Sequence, residues 1–144
     1  MRILILVFFL SIVPGMGAAA QTGSPQTGAY QPKSAGDKAH SDAEYLAMAY
    51  MRTVAIAQKL FYRKHNRYAD SLLALVGYGG VTRRMASTHR GDYEAGFRAR
   101  PNGYTLVLTP ANFDEGHRSF YIDESGEIRA EEGKRATGES PPLP

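Results

Sequence analysis

The chain of 144 residues contains no cysteine. This absence excludes disulfide bonds, a thiol nucleophile, a lipid-modified cysteine and zinc sites built from thiolates. The fold must therefore be held by its apolar core, which a domain of roughly 100 residues can provide without cross-links. The length leaves room for one domain.

The sequence also lacks a run of about 20 apolar residues, the length that a membrane-spanning helix needs. Its longest apolar stretch, Ile3 to Val13, follows Arg2 and precedes a set of small residues. This pattern predicts a signal peptide over residues 1–20, cleaved between Ala20 and Gln21. We expect an exported protein, periplasmic or extracellular, with no transmembrane span in the mature chain. An uncleaved N-terminal anchor is the alternative.

Motifs of catalysis are missing as well. The sequence has no serine-nucleophile motif, phosphate-binding loop, zinc-protease pair or spaced pair of acids. The histidines are scattered, with no pair three or four residues apart on one predicted helix: His40, His65, His89 and His117. We therefore expect a protein that is not an enzyme and has no cofactor.

Residues 21–40 are rich in Gly, Ser, Thr, Pro, Gln and Ala and contain one aromatic residue, Tyr30. Such a segment has too little apolar surface to offset the entropy of ordering the chain. The composition predicts a disordered linker.

No glycine or proline occurs between Ala43 and Arg67. Ser41 and Glu44 have the spacing of a capping box, in which two side chains satisfy free amides at a helix start. Several cationic residues lie at the other end, where positive charge interacts favourably with the helix dipole. These signals predict one long helix between Ser41 and Tyr68.

Apolar side chains recur along this segment at alternating spacings of four and three, which predicts an amphipathic helix. The predicted stripe consists of Leu46, Tyr50, Thr53, Ala57 and Leu60, with Ala49, Ile56 and Phe61 beside it. After this helix, Asp70 or Ser71 can cap a short second helix that ends at Gly77.

From Asp92 onward the apolar period changes from helical to two, the period of a half-buried strand. Four strands are predicted, over residues 93–99, 104–109, 119–123 and 127–130. Turns at Pro101–Gly103 and Asp123–Gly126 join two pairs of them as hairpins. We therefore expect an antiparallel meander with one apolar face.

The predicted fold class is α+β, with the long helix covering the apolar face of the four-stranded meander and the short helix between them. The domain spans residues 41–132. Residues 133–144, which contain three prolines in the last four positions, are expected to form an extended tail.

The order of these elements resembles the type IV pilin and type II secretion pseudopilin family. The residues that carry the resemblance are Tyr62, Tyr68–Leu72, Gly103–Leu106, Thr109–Pro110, Ser119–Arg129, Ala136–Thr137 and Ser140–Leu143. The match runs from the helix to the end of the chain.

The resemblance implies a pilin-like structural or accessory protein that acts through protein–protein contacts with a cell-envelope filament or secretion apparatus. Family members are cut by a prepilin peptidase before a long apolar helix that holds them in the membrane. Here a signal peptide and a linker take the place of that helix. The chain is thus similar to the globular half of a pilin.

Two further sites are considered. Calcium prefers clustered oxygen ligands, and some pseudopilins bind calcium near the region that holds Asp114, Glu115 and Asp123. A basic stretch indicates the alternative function, a free exported module that binds DNA or another polyanion. Its residues are Arg83, Arg84, Arg90, Arg98 and Arg100.

Overall fold

The computed structural model describes residues 29–143. The predicted signal peptide, its cleavage site between Ala20 and Gln21, and the start of the predicted linker lie outside these residues. The described chain forms one long helix, two short 3-10 turns and one antiparallel sheet. The predicted α+β class, with a helix packed on a sheet, is confirmed, but the sheet has five strands rather than four.

Helix α1 spans Asp42–His65, 24 residues. It begins at Ser41, whose backbone is extended and whose hydroxyl accepts the Glu44 N–H at 3.1 Å. It ends at His65 because Asn66 adopts a left-handed conformation, with φ of 52°. The Asn66 N–H then bonds to the Tyr62 carbonyl at 2.8 Å and closes the last turn.

The face of α1 that packs on the sheet shares Tyr50, Ala57 and Phe61 with the predicted set but otherwise differs from it. Its buried apolar residues are Ala47, Met48, Tyr50, Met51, Val54, Ala55, Ala57 and Phe61. Leu46 is instead 66% exposed and Ile56 is 54% exposed. Two neighbouring stripes of α1 both have a helical period, so spacing alone does not decide which of them faces the sheet.

The connection after α1 is fixed by Gln58, which is fully buried. Its amide oxygen accepts the Ala69 N–H at 2.9 Å and its amide nitrogen donates to the Ala69 carbonyl at 3.2 Å. These two hydrogen bonds satisfy the backbone groups of Ala69 in place of a regular element. They hold the chain where it reverses direction and runs back along the helix.

The predicted short second helix is a 3-10 turn, Leu73–Leu75. The Ser71 hydroxyl accepts the Ala74 N–H at 3.3 Å, but Val76 is already extended, so no α-helical turn develops. Leu72 and Leu75 are buried at one end of the core. A second 3-10 turn, Arg83–Ala86, follows in a stretch without sequence signals.

The five strands follow chain order across the sheet, each antiparallel to the next. They are β1 His89–Arg90, β2 Tyr93–Arg100, β3 Gly103–Pro110, β4 Ser119–Asp123 and β5 Arg129–Glu131. Strands β2 and β3 pair along their whole length through the predicted turn. The extra strand is β1, whose two polar residues are too few to show an alternating pattern.

The centre of the core lies between α1 and the sheet. Leu106, Leu108, Phe120 and Ile122 are fully buried there, and they alternate along β3 and β4 as the period of two requires. On the opposite face of the sheet, Val107 and Tyr121 form a second, smaller apolar cluster with Ala136.

The segment after β5 runs back along that strand. The Ala130 N–H bonds to the Pro141 carbonyl at 3.0 Å, and the Leu143 N–H bonds to the Ile128 carbonyl at 2.9 Å. The Ser119 hydroxyl accepts the Ala136 N–H at 3.0 Å. These bonds cover the outer edge of β5 and part of the sheet face away from α1.

The described part of the predicted linker, residues 29–40, lies against the start of α1. Lys33 and Asp42 form an ion pair of 2.7 Å, the Tyr30 hydroxyl donates to Asp37, and Ala39 is buried. The composition of this segment did not predict these contacts. Within residues 29–143, no helix is both long enough and apolar enough to cross a membrane.

Gly79 lies where the chain crosses α1, and it generates the first prediction. A Cβ placed on Gly79 would lie 2.8 Å from the Ala57 backbone nitrogen, whereas one on Gly80 would meet open space. Both residues have positive φ, at 55° and 85°. We expect Gly80→Ala to lower the free energy of unfolding by about 1–2 kcal/mol through backbone strain. Gly79→Ala should cost about 1–3 kcal/mol more because it adds a clash.

Urea unfolding of the two variants measures this difference, and Gly80→Ala is the matched control. Equal losses in the two variants would contradict the close approach of the loop to α1.

Candidate interaction surface

The start of α1 is fixed to the sheet by one buried carboxylate. Glu44 is fully buried. Its Oε1 accepts the Arg118 backbone N–H at 2.8 Å and the Arg118 Nε–H at 3.0 Å. Its Oε2 accepts the His40 N–H and the Arg118 Nη2–H, each at 2.8 Å. A buried charge with this many donors is paired and hydrogen-bonded, the condition under which burial is tolerated.

Arg118 extends this connection to the segment before the helix. Its side chain is 11% exposed, and its Nη2 also donates to the Lys38 carbonyl at 2.6 Å. The Ser41 hydroxyl donates to the Gly116 carbonyl at 2.5 Å. The first turn of α1 is therefore joined to the loop that precedes β4, and this contact sets the orientation of the helix on the sheet.

A histidine and two carboxylates lie beside this contact. His117 Nδ1 is 2.7 Å from Asp114 Oδ1, and His117 Nε2 is 3.5 Å from Asp92 Oδ2. Burial lowers the pKa of His117, but hydrogen bonds and charges from Asp114 and Asp92 raise it by more, so the pKa of His117 lies above its ordinary value. The hydrogen bond from His117 and that from the Gly116 N–H lower the pKa of Asp114.

The three predicted calcium ligands do not come together. Asp114 accepts hydrogen bonds from its own loop and Glu115 is exposed beside it. Asp123 lies at the far end of the five-residue strand β4 and accepts the Ser125 N–H at 3.0 Å. The four residue steps along β4 from Ser119 to Asp123 cover about 13 Å. One ion therefore cannot contact both Asp114, which precedes the strand, and Asp123 at its end. In the region from residue 29 to 143, no group of three or more His, Asp or Glu side chains is arranged to hold a metal.

The five predicted polyanion-binding arginines divide between two sides of the sheet. The Arg90 guanidinium lies 4.8 Å from the centre of the Tyr50 ring, on the side of α1. Arg83 and Arg84 are exposed in the 3-10 turn that precedes β1. Arg98 and Arg100 alternate along β2 with the core-facing Phe97 and therefore lie on the other face. Arg100 is also paired with Glu124 at 2.9 Å.

A wide surface depression opens between Tyr30, His40, Asp42 and Glu115, with Ser41 at its rim. The Ser41 hydroxyl donates to the Gly116 carbonyl and accepts the Glu44 N–H. His40 Nδ1 lies 3.2 Å from the Glu115 carbonyl rather than against this hydroxyl. The serine is thus used in helix capping and is not arranged as a nucleophile with a base.

The outward side of α1 presents a row of apolar and small side chains. We call it the exposed stripe; it consists of the exposed Leu46 and Ile56 and the half-buried Ala49, Thr53 and Leu60. These positions alternate at spacings of three and four, the spacing of a helix seam that packs on another helix. The Thr53 hydroxyl bonds to the Ala49 carbonyl at 3.0 Å, which satisfies its polar group within the helix.

The cationic side of the exposed stripe is formed by Arg52 and Lys59, which are exposed one position before Thr53 and Leu60. Neither takes part in an ion pair within residues 29–143. A partner helix that carries acidic residues beside an apolar seam would complement this side.

The sequence alone pointed to Glu44 and to all five residues of the exposed stripe, but it indicated other roles for them. It placed the residues of the exposed stripe on or beside the face that packs on the sheet, and it treated Glu44 as a cap for Ser41. It did not identify Arg118, which is 74 residues away from Glu44 along the chain. The one signal in the sequence for this ion pair was Glu44 itself, an acidic residue at a position that a helical period places toward the core.

Comparisons with protein-family models, with curated proteins and with solved structures find no match to this chain.

The raised pKa of His117 predicts how stability depends on pH. A group whose folded pKa is raised stabilises the fold below its unfolded pKa, about 6.5 for histidine, and this contribution is lost as pH rises through the folded pKa. We expect His117→Gln to be less stable than the parent protein near pH 5.5 and similar to it near pH 9. Because the pKa of Asp114 is lowered, its carboxylate stays charged and paired with His117 near pH 5.5.

Urea unfolding at the two pH values checks the prediction. His89→Gln is the control, since His89 is exposed and forms no ion pair in the described part of the chain. A loss of stability in His117→Gln that is the same at both pH values would contradict it.

Proposed function

We propose that this protein is an exported structural or accessory subunit, not an enzyme, that works through protein–protein contacts in a cell-envelope filament or secretion apparatus. The single observation that carries the proposal is the exposed stripe of α1. Large apolar side chains on the outside of a helix, at the spacing of a helix seam, are a feature of interaction surfaces.

The arrangement of the chain supports the same proposal. A long helix whose inner face packs on an antiparallel sheet, followed by strands in chain order, is the organisation that the resemblance to the globular half of pilins and pseudopilins implies. The sequence motifs of that resemblance lie in the turn after α1 and in β3 and β4. Within the described residues 29–143, Leu46 and Ile56 on the outer face of the helix are left exposed to a neighbour.

The exposed stripe is suited to a helix of the partner. From Leu46 to Leu60 it covers 14 residue steps, or about 21 Å of helix. The small residues Ala49 and Thr53 near its middle allow a second helix to approach closely, and Leu46 and Ile56 supply apolar area at either side. The cations Arg52 and Lys59 favour acidic residues on that partner.

The alternative function, binding of DNA or another polyanion, has less geometric support. A polyanion is bound by a continuous basic surface. Arg98 and Arg100 lie on the sheet face away from α1, whereas the turn that holds Arg83 and Arg84 contacts α1, since the Tyr50 hydroxyl donates to the Met85 carbonyl at 3.0 Å. Arg100 is also paired with Glu124. We therefore do not propose this function.

Replacement of exposed-stripe residues tests the proposal. Leu46→Glu with Ile56→Glu places two good helix formers at exposed positions, so the stability of the fold should change by no more than about 0.5 kcal/mol per site. We expect the double variant, produced in the native host, to lose its association with the cell-envelope complex that retains the parent protein. Cross-linking and fractionation of the envelope measure this association.

Leu73→Glu is the matched control. Leu73 is 59% exposed but lies in the 3-10 turn rather than on α1. It should leave the association unchanged. The proposal fails if the parent protein is found free of any envelope complex, or if Leu73→Glu releases it as effectively as the double variant.

A further inference from the structure

Strand β2 has a free edge along most of its length. On one side, all eight of its residues pair with β3. On the other side, β1 pairs only with Tyr93 and Glu94, and the last hydrogen bond is that from the Ala95 N–H to the Thr88 carbonyl, 2.7 Å. We call residues Gly96–Arg100 the β2 edge. No backbone hydrogen bond reaches its outer side from the described residues 29–143.

The register identifies the groups that this edge offers. In an antiparallel pair, alternate residues direct their N–H and C=O groups to the same neighbouring strand. Because the Ala95 N–H points toward β1, the backbone groups of Phe97 and Ala99 point the same way, into solvent. The β2 edge therefore presents the donors and acceptors of two alternate residues, Phe97 and Ala99, the pattern to which another extended chain can pair.

The side chains beside this edge on the face away from α1 are mainly cationic. Arg98 is exposed, and the Arg135 guanidinium lies over Gly96, 3.0 Å from the position that a Cβ on that glycine would take. Neither arginine is in an ion pair within the described residues. Arg100 is partly neutralised by Glu124, and Glu94 is the one acidic residue of β2.

On the face toward α1 the edge is apolar. Phe97 is half-buried and stacks on the buried Tyr104, with ring centres 6.0 Å apart and an angle of 14°. A chain added at this edge would place alternate side chains beside Phe97 and the others beside Arg98 and Arg135. The edge thus favours a segment that alternates apolar and acidic residues.

We propose that the β2 edge binds an extended acidic segment of another protein, which adds to the sheet as a further strand outside β2. A second copy of this chain is disfavoured as the occupant, since it would bring Arg98 and Arg100 against their own counterparts. Residues 1–28 contain no Asp or Glu, so they do not supply the acidic segment. This surface is separate from the exposed stripe of α1.

A peptide titration tests this proposal. The probe is an eight-residue peptide of alternating glutamate and valine with blocked ends, added to the full-length 15N-labelled protein. We expect saturable binding and hydrogen exchange of the Phe97 and Ala99 amides slowed at least about tenfold, because new hydrogen bonds protect them. A peptide with lysine for glutamate, and one with proline for valine, should not bind.

Variants separate strand addition from simple charge attraction. Arg98→Glu with Arg135→Glu should weaken binding about tenfold, whereas Arg83→Glu with Arg84→Glu, the same change in net charge, should leave it within about twofold. Ala99→Pro removes an N–H that faces solvent, a position where edge strands tolerate proline, and should abolish the protection of Phe97.

Three results would each overturn the proposal. They are no binding of the acidic peptide at millimolar concentration, equal binding of its proline analogue, and equal weakening by the two arginine pairs. If the acidic peptide does not bind, the β2 edge is a solvated strand whose charged side chains prevent pairing. Either of the other two results would indicate that the peptide is attracted by charge without pairing as a strand.

Discussion

The buried carboxylate of Glu44 is the contact on which the rest of the structure depends. It links the first turn of α1 to Arg118, which directly precedes β4, and it also accepts the His40 N–H just before the helix. Without this link the start of the helix would be held to the sheet by apolar packing, which is not directional, and by the hydrogen bond from the Ser41 hydroxyl to the Gly116 carbonyl. The ion pair therefore selects one rotation of α1, the one that places Met51 and Val54 on the sheet and Leu46 and Ile56 in solvent.

The elements themselves could be predicted from local sequence. A cap at Ser41, a helical period after it and a period of two from Asp92 onward each report on neighbouring residues, and the resulting helix and four of the five strands were predicted to within a few residues. The two-residue strand β1 could not be predicted in this way. Strand β1 exists because β2 is already in place and the turn at residues 91–92, between the two strands, brings His89 and Arg90 alongside Glu94 and Tyr93.

The arrangement of the site depends on contacts between distant parts of the chain, and these were largely beyond sequence reasoning. The Glu44–Arg118 ion pair favours one of the two apolar stripes of α1, whereas the spacing of Leu46 and Ile56 pointed to the other face. The arginine-rich stretch is continuous in sequence, but the alternation along β2 and the turn before β1 separate its members in space. Asp114 and Asp123 are separated in the same manner by the length of β4.

The two proposed contact surfaces follow from one architecture. The sheet is covered by α1 on one face and partly by the C-terminal segment on the other, and β5 is closed by residues 141–143. Among residues 29–143, the outer side of the helix and the edge of β2 are left uncovered, and each offers a different mode of protein contact. A small domain whose core is closed and whose helix and strand edge are open is suited to assembly with other chains.

The most direct test of this account is the free energy of unfolding of Glu44→Gln. Removal of one partner from a buried ion pair leaves an uncompensated charge, so the variant should lose about 3–5 kcal/mol. Asp42→Asn, two residues away, breaks an ion pair with Lys33 in which the Asp42 side chain is 72% exposed, and it should change stability by less than about 1 kcal/mol. A loss below about 1 kcal/mol in Glu44→Gln would contradict the claim that this carboxylate orients the helix.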